Sequence, residues 1–135
     1  MSLAMRNLLR DLKDPVKEIG LIREGLKVNV VELFLARENL LVKDVLERLR
    51  IPASTYFAKK KHHQPLDAYH TEKFVRLISI LELATDILGK EAARHWIYEN
   101  VTSLGNEVPL NLLDTDIGYR LVEQALLQVK YGMYA

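Results

Sequence analysis

The 135-residue sequence contains no cysteine. This absence excludes disulfide bonds, thiolate zinc sites and cysteine nucleophiles, and it fits a reducing compartment. No uncharged apolar run approaches the roughly 18–20 residues that a membrane-spanning helix needs. The N-terminal segment carries Arg6, Arg10 and Asp11 within its apolar stretch, which is not the pattern of a signal peptide. We therefore expect a cytoplasmic protein with no membrane segment.

The sequence also has few patterns that would support catalysis or metal binding. His62 and His63 are adjacent, so their side chains diverge on a helix, while His70 and His95 lie in other predicted elements. The acidic residues are spread over helix caps and charged faces, the glycines are dispersed, and no nucleophile motif is present. We expect no metal site, no cofactor and no enzyme activity.

Charge is distributed unevenly along the chain, although the formal net charge is only +1. Residues 48–66 contain five cations and no acid, whereas the segment from Glu99 onward contains five acids and two bases. The basic segment offers positive potential to a polyanion, and the acidic end does not. This asymmetry indicates two different partners.

Helical spacing of apolar residues predicts an all-α fold. Residues 1–26 form an N-terminal arm that Pro15, Gly20 and Gly25 divide into short pieces, with one or two helical turns expected. Apolar residues at three- and four-residue spacing then predict a series of helices. Their approximate ranges are 28–38, 42–49, 53–62, 67–88, 90–100 and 115–131.

The helix predicted over residues 67–88 is apolar on nearly all sides, which indicates burial on nearly all sides. Its length of about 33 Å is sufficient to connect two lobes of the protein. Gly89 ends it.

The last predicted helix carries one wide apolar stripe, formed by Ile117, Leu121, Val122, Ala125, Leu126 and Val129. Thr115 or Asp116 can cap its start, and Gly132 can end it in the left-handed cap conformation. An apolar and aromatic tail follows, at residues 133–135, and we expect this tail to dock on a partner.

The short helices at 42–49 and 53–62 are joined by a tight turn, which matches a helix-turn-helix unit. A recognition helix needs short polar residues near its start to reach base edges, and cations to neutralise phosphates. Ser54 and Thr55 suit the first task, and Lys59, Lys60 and Lys61 suit the second. A solvated basic helix end is the competing interpretation, and the two stay equally open at this point.

Several short motifs give the chain from about Gly25 to Tyr134 a resemblance to the Xre/MbcA/ParS-type antitoxins, the partners of RES-domain toxins. The resemblance covers about four fifths of the chain, and its C-terminal half is the more specific part. The motifs are Ile51 with Ser54-Thr55 and the following lysines, Pro65-Leu66, Ala92-Ala93 with Trp96, Leu104-Gly105, Pro109-Leu110, Leu113-Asp114-Thr115 with Gly118 and Val122, and Tyr131-Gly132.

The resemblance implies a protein in two functional parts. After the arm, it implies an Xre-like helix-turn-helix lobe at residues 27–66, a connecting central helix at 67–89 and a small helical toxin-binding lobe at 90–135. The first lobe would bind operator DNA as a homodimer or higher oligomer and repress its own operon. The second would bind an NAD-degrading RES-domain toxin and occlude its NAD pocket. The implied toxin-binding residues are Leu113, Thr115, Gly118, Tyr131, Gly132 and Tyr134.

Two other functions stay open from the sequence. One is a DNA-binding transcriptional repressor whose C-terminal half serves only dimerisation. The other is an interaction module without DNA binding, because Arg50 and Pro52 replace the glycine and the serine that the family usually has in the turn. If Arg50 adopts a positive φ, we expect a cost on the order of 1 kcal/mol.

Overall fold

The computed structural model describes residues 1–132 and shows an all-α protein, which confirms the predicted fold class. Within these residues the chain forms eight α-helices and two short 3₁₀ helices. The α-helices are α1 (Leu3–Asp11), α2 (Pro15–Glu24), α3 (Val28–Arg37), α4 (Val42–Arg48), α5 (Ala53–Lys61), α6 (Ala68–Leu88), α7 (Lys90–Trp96) and α8 (Asp116–Tyr131). The 3₁₀ helices are Thr102–Leu104 and Pro109–Leu112. None of these helices combines the length and the apolar character that crossing a membrane requires.

The chain divides into two compact units, and the division falls inside α6, between Val75 and Arg76. The helix itself is continuous over 21 residues. The first unit includes the N-terminal helices as well as residues 27–66.

In the first unit, α1 packs against α2 and α3, while α5 packs against both α3 and α4. Our expectation of only one or two helical turns before residue 27 was wrong, because α1 and α2 are full helices. Pro15 occupies the first turn of α2, where a missing N–H costs nothing, so it begins a helix instead of interrupting one. Met5 and Leu8 are buried, so α1 contributes to the core of this unit.

The turn between α4 and α5 has a defined geometry. Leu49 follows α4, Arg50 adopts a left-handed conformation with φ of 55°, and Pro52 immediately precedes α5. Lys73 of α6 fixes this turn, since its Nζ donates to the carbonyl oxygens of Leu49 at 2.8 Å and Arg50 at 3.2 Å. The Lys73 side chain is only 2% exposed, and its Nζ lies 4.7 Å from the centroid of the Tyr69 ring.

In the second unit, the segment between α7 and α8 is tied to its neighbours by specific hydrogen bonds. The Leu110 N–H donates to the Ile97 carbonyl at 3.1 Å. Arg76 donates from Nε to the Leu113 carbonyl at 2.9 Å and from Nη2 to the Asp114 carbonyl at 3.0 Å. These contacts fix the start of α8. Helix α7 ends at Trp96, four residues earlier than the predicted helix.

Most predicted core positions of α6 are buried, as its sequence indicated. Helical spacing also predicts that Ala92, Ala93, Trp96 and Ile97 face inward. Ala93 and Ile97, which directly follows α7, are fully buried and Trp96 is half-buried, but Ala92 is exposed, so the prediction was wrong for Ala92. Within a helix as short as α7, one turn provides only a narrow buried face.

Candidate functional site

Helix α5 presents one outward face, on which two of the predicted DNA-binding residues lie. Ser54 and Lys61 are exposed and are separated by seven residues, two turns of an α-helix, with exposed Ala58 between them. Thr55 is half-buried beside this face. A short hydroxyl at one end of the face and an ammonium at the other suit the two tasks of a recognition helix.

The other two predicted lysines lie on the flanks of α5. Lys59 and Lys60 stand on either side of the buried Tyr56 when the helix is viewed down its axis, since successive residues are about 100° apart. Lys59 is half-buried, and Lys60 forms an ion pair with Glu32 of α3 at 2.9 Å. The lysine triplet therefore does not point in one direction.

Tyr56 anchors α5 in the core of the first unit. Its ring packs edge-on against Phe57 at 5.1 Å and in a tilted arrangement against Phe74 at 6.1 Å between centroids. Burial, and secondly the negative charge of Glu32, raise the pKa of the Tyr56 phenol, so this side chain stays neutral.

The exposed side of α8 carries a second candidate surface. Ile117 is 67% exposed, Leu121 is 48% exposed and Tyr131 is 64% exposed. Gln124 and Gln128 lie between them at alternating spacings of four and three residues, so all five residues share one face. We call this set the α8 stripe. Its apolar ends face solvent in this chain, which makes it a surface suited to contact with another protein.

In the structure, the apolar stripe that the sequence predicted for α8 therefore consists of a buried part and an exposed part. Val122, Ala125 and Leu126 are buried, whereas Ile117 and Leu121 face outward. The six predicted positions span about 180° of the helix, which is wider than a single buried face requires. That excess width was the signal in the sequence for a second, exposed surface.

The predicted toxin-binding residues divide into buried and exposed positions, and several of them fix the position of α8. Leu113 is fully buried. Thr115 is the N-cap, and its Oγ1 accepts a hydrogen bond from the Gly118 N–H at 3.0 Å. Gly132 ends α8 with φ of 64°. Gly118 is buried, whereas Thr115, Tyr131 and Gly132 are exposed, and Tyr134 lies outside the residues that the structure describes.

Gly118 lies at a close contact between α8 and the Pro109–Leu112 helix. A Cβ atom placed on it would lie 1.7 Å from the carbonyl oxygen of Leu112, which is far inside the contact distance of the two atoms. Glycine is therefore required for α8 to pack against the Pro109–Leu112 helix. The sequence motif around Gly118 thus encodes the placement of α8.

Comparison with known proteins assigns the C-terminal segment. Residues 83–132 match the family described as the antitoxin Xre/MbcA/ParS C-terminal toxin-binding domain. This segment is similar to that family. The chain is also similar to the Prs ADP-ribosylating antitoxin of Sphingobium sp. (strain YBL2), with 26% identity over 131 residues that cover 90% of this chain and 82% of the relative. The predicted resemblance to Xre/MbcA/ParS-type antitoxins is confirmed.

The matched segment includes the end of α6, all of α7 and all of α8, so it contains the entire α8 stripe. The basic helix α5 lies outside the matched segment. Within residues 1–132, no group of three or more histidine and acidic side chains is arranged to hold a metal ion.

Proposed function

We propose that the protein is an antitoxin that binds a RES-domain toxin through its C-terminal unit and covers the toxin's NAD pocket. The observation that carries this proposal is the α8 stripe, which exposes apolar side chains within the segment that matches a toxin-binding domain. Protein interfaces bury surfaces of this composition, and tyrosine is enriched in them. The protein acts by binding and needs no active site of its own.

The class of toxin is supported by the name of the Sphingobium relative. ADP-ribosylation transfers ADP-ribose from NAD, so a toxin of such a system has an NAD pocket that an antitoxin can cover. RES-domain toxins, which the sequence resemblance implied, also act on NAD. The cytoplasmic location and the homodimeric or higher oligomeric state stay predictions.

We assign two roles to the predicted toxin-binding residues. Tyr131 and Tyr134 would contact the toxin, because an aromatic ring buries a large area with few torsions to immobilise. The remaining residues would hold α8 in position through core packing, capping and close backbone approach, and these are Leu113, Thr115, Gly118 and Gly132.

The substitution Leu121→Glu tests the toxin-binding surface. Because Leu121 is exposed, we expect the variant to fold normally and to bind the co-expressed toxin at least about tenfold more weakly, through a charge buried in the interface. Leu41→Glu is the matched control, since Leu41 is 75% exposed in the first unit. Equal toxin affinity of both variants and the wild type would contradict the proposal.

Truncation after Lys130 tests occlusion separately from binding. We expect the shortened chain to keep its fold and part of its toxin affinity while the toxin regains NAD-consuming activity. The measurement is NAD consumption by the purified complex. Complete inhibition by the shortened chain would rule out a role of the chain end in covering the pocket.

We further propose that α5 binds operator DNA and that the protein thereby represses its own operon. Ser54 and Thr55 would approach base edges, and Lys61 would neutralise a phosphate on the same face. Lys59 and Lys60 add positive potential from the flanks. An electrophoretic mobility shift with the DNA upstream of the operon tests this part of the proposal. The absence of a shift at low salt would contradict DNA binding and favour an interaction module that binds only the toxin.

The alternative function is a transcriptional repressor whose C-terminal half serves only dimerisation. The α8 stripe favours it as well, since an exposed apolar helix face can pair with a second copy of itself. Sedimentation of the protein without toxin distinguishes the two functions. If Leu121→Glu converts a dimer to a monomer and no toxin is bound by the wild type, the dimerisation function holds.

A further inference from the structure

A pocket of about 590 Å³ lies between the start of α3 and the end of α5, entirely within the first unit. We call it the α3–α5 pocket. The lining residues from the start of α3 are Lys27, Val28, Asn29 and Glu32, and those from α5 and the following turn are Lys59, Lys60, His63, Gln64 and Pro65. Neither Ser54 nor Lys61 lines it, so it is distinct from the proposed DNA-binding face.

The charge of the pocket favours an anion. Three lysines, Lys27, Lys59 and Lys60, face one carboxylate, Glu32. Lys60 forms an ion pair with Glu32 at 2.9 Å, and the charge of Lys59 also acts on the Asp67 carboxylate outside the lining, so three lysines against one carboxylate leave the lining with an excess of positive charge. An excess of positive charge around a concave site favours the binding of an anion.

Neutral hydrogen-bond donors complete the lining. The side chains of Asn29 and Gln64 carry amide N–H groups, which can donate to an oxyanion. The backbone N–H groups of Val28 and Asn29 belong to the first turn of α3, where no preceding carbonyl of the helix is available to accept from them. The residues that line the pocket thus carry both positive charge and hydrogen-bond donors.

We propose that the α3–α5 pocket binds the phosphate groups of a small phosphorylated metabolite of up to nucleotide size. The volume lies within the range of about 300–1,000 Å³ that small-molecule sites occupy. Lysine ammonium groups and amide N–H donors are the groups that recognise phosphate oxygens. We choose a free molecule as the ligand because neither Ser54 nor Lys61, which mark the proposed DNA-binding face, lines the pocket.

The test is a titration of ¹⁵N-labelled protein with inorganic pyrophosphate, followed through the amide signals of Val28, Asn29 and Gln64. We expect saturable shifts of these signals, and we expect Lys27→Ala and Lys59→Ala each to weaken binding by about fivefold or more, since each removes a charge-assisted contact. Lys61→Ala is the matched control, because it removes the same charge from the same helix outside the pocket.

A second variant strengthens the pocket instead of weakening it. Glu32→Gln removes the opposing charge, so pyrophosphate should bind about threefold or more tightly than to the wild type. Non-saturable shifts, or equal weakening by Lys61→Ala and Lys59→Ala, would overturn the proposal, since either result means that general surface charge attracts the anion.

A third arm distinguishes a free phosphate from a phosphate of DNA. Operator binding is measured for Lys27→Ala and Lys61→Ala in the same buffer. We expect Lys61→Ala alone to weaken DNA binding. If Lys27→Ala weakens DNA binding as strongly, and DNA displaces pyrophosphate, the pocket holds a backbone phosphate and the proposal of a free metabolite is overturned.

Discussion

Arg50 occupies the one position in the turn between α4 and α5 that needs a left-handed backbone. Its φ of 55° places the Cβ atom of an L-residue close to the following carbonyl oxygen. The sequence predicted a cost if Arg50 adopted a positive φ, and the structure has this conformation. The backbone of Arg50 is therefore strained, and this residue lies in the turn that sets the angle between α4 and α5.

Replacing Arg50 with glycine should relieve this strain. We expect Arg50→Gly to raise the free energy of unfolding by about 0.5–1 kcal/mol, measured by urea denaturation. Glu47→Gly is the control, since Glu47 is exposed within α4, where glycine costs about 1 kcal/mol. A loss of stability in both variants would show that the turn carries no strain.

Lys73 is a buried cation whose partners are carbonyl oxygens at the end of α4. We expect Lys73→Met, which keeps most of the side-chain volume, to lower the free energy of unfolding by about 1.5–3 kcal/mol, because hydrogen bonds to a charged group are lost. Lys43→Met on the exposed side of α4 should change it by less than about 0.5 kcal/mol. Similar small effects in both would contradict a capping role for Lys73.

Asp67 caps α6, and its carboxylate accepts hydrogen bonds at 2.8 Å from both the backbone N–H and the ring Nδ1 of His70. Burial raises the pKa of Asp67, but the hydrogen bonds and charge of His70 outweigh it, with a smaller effect of Lys59, so the pKa falls below its ordinary value of 3.8. A depressed pKa stabilises the fold above 3.8, and this stability is lost as the pH falls through the folded value.

Asp67→Ala should therefore cost about 1 kcal/mol at neutral pH, the usual value of an N-cap. The cost should shrink as the pH falls below 3.8, because protonation removes the same interactions from the wild type. Denaturation curves at neutral pH and at about pH 3 measure this, with Asp86→Ala on the exposed face of α6 as the control. A cost that does not change with pH would contradict it.

At the scale of the element, the position of α8 depends on its contact with the Pro109–Leu112 helix. Gly118 allows this contact, since no side chain fits between its Cα and the Leu112 carbonyl. Arg76 and the Thr115 cap fix the preceding turn. These interactions determine which face of α8 is buried and hence which face carries the α8 stripe.

Two glycine substitutions should have opposite effects. Gly118→Ala should lower the free energy of unfolding by about 1–3 kcal/mol through overpacking and should also weaken toxin binding, because α8 must shift. Gly20→Ala in α2 should raise it by about 0.5–1 kcal/mol, since an added Cβ meets no atom within 4 Å and alanine favours the helix. Thermal melts measure both, and a neutral Gly118→Ala would show that α8 has room to move.

At the scale of the whole molecule, the proposed DNA-binding face and the proposed toxin-binding surface lie in different compact units. Lys61→Ala should therefore reduce the salt dependence of operator binding by about 0.9 in the logarithmic slope and leave toxin affinity unchanged. Leu121→Glu should weaken toxin binding and leave operator binding by the toxin-free protein unchanged. Filter-binding and calorimetric titrations measure the two affinities, and loss of both in either variant would show that the functions are not separable.

Local patterns in the sequence determined the all-α class, most helix ends and the position of the turn between α4 and α5, because apolar spacing, caps and turn residues act over a few neighbours. The tertiary structure decided the rest. Whether Ile117 and Leu121 are buried depends on how much of α8 its neighbours cover, and the directions of Lys59 and Lys60 depend on the burial of Tyr56 and on Glu32. Contacts between segments that are distant in sequence determine which of these side chains are buried. Helical periodicity contains no information about where those segments pack.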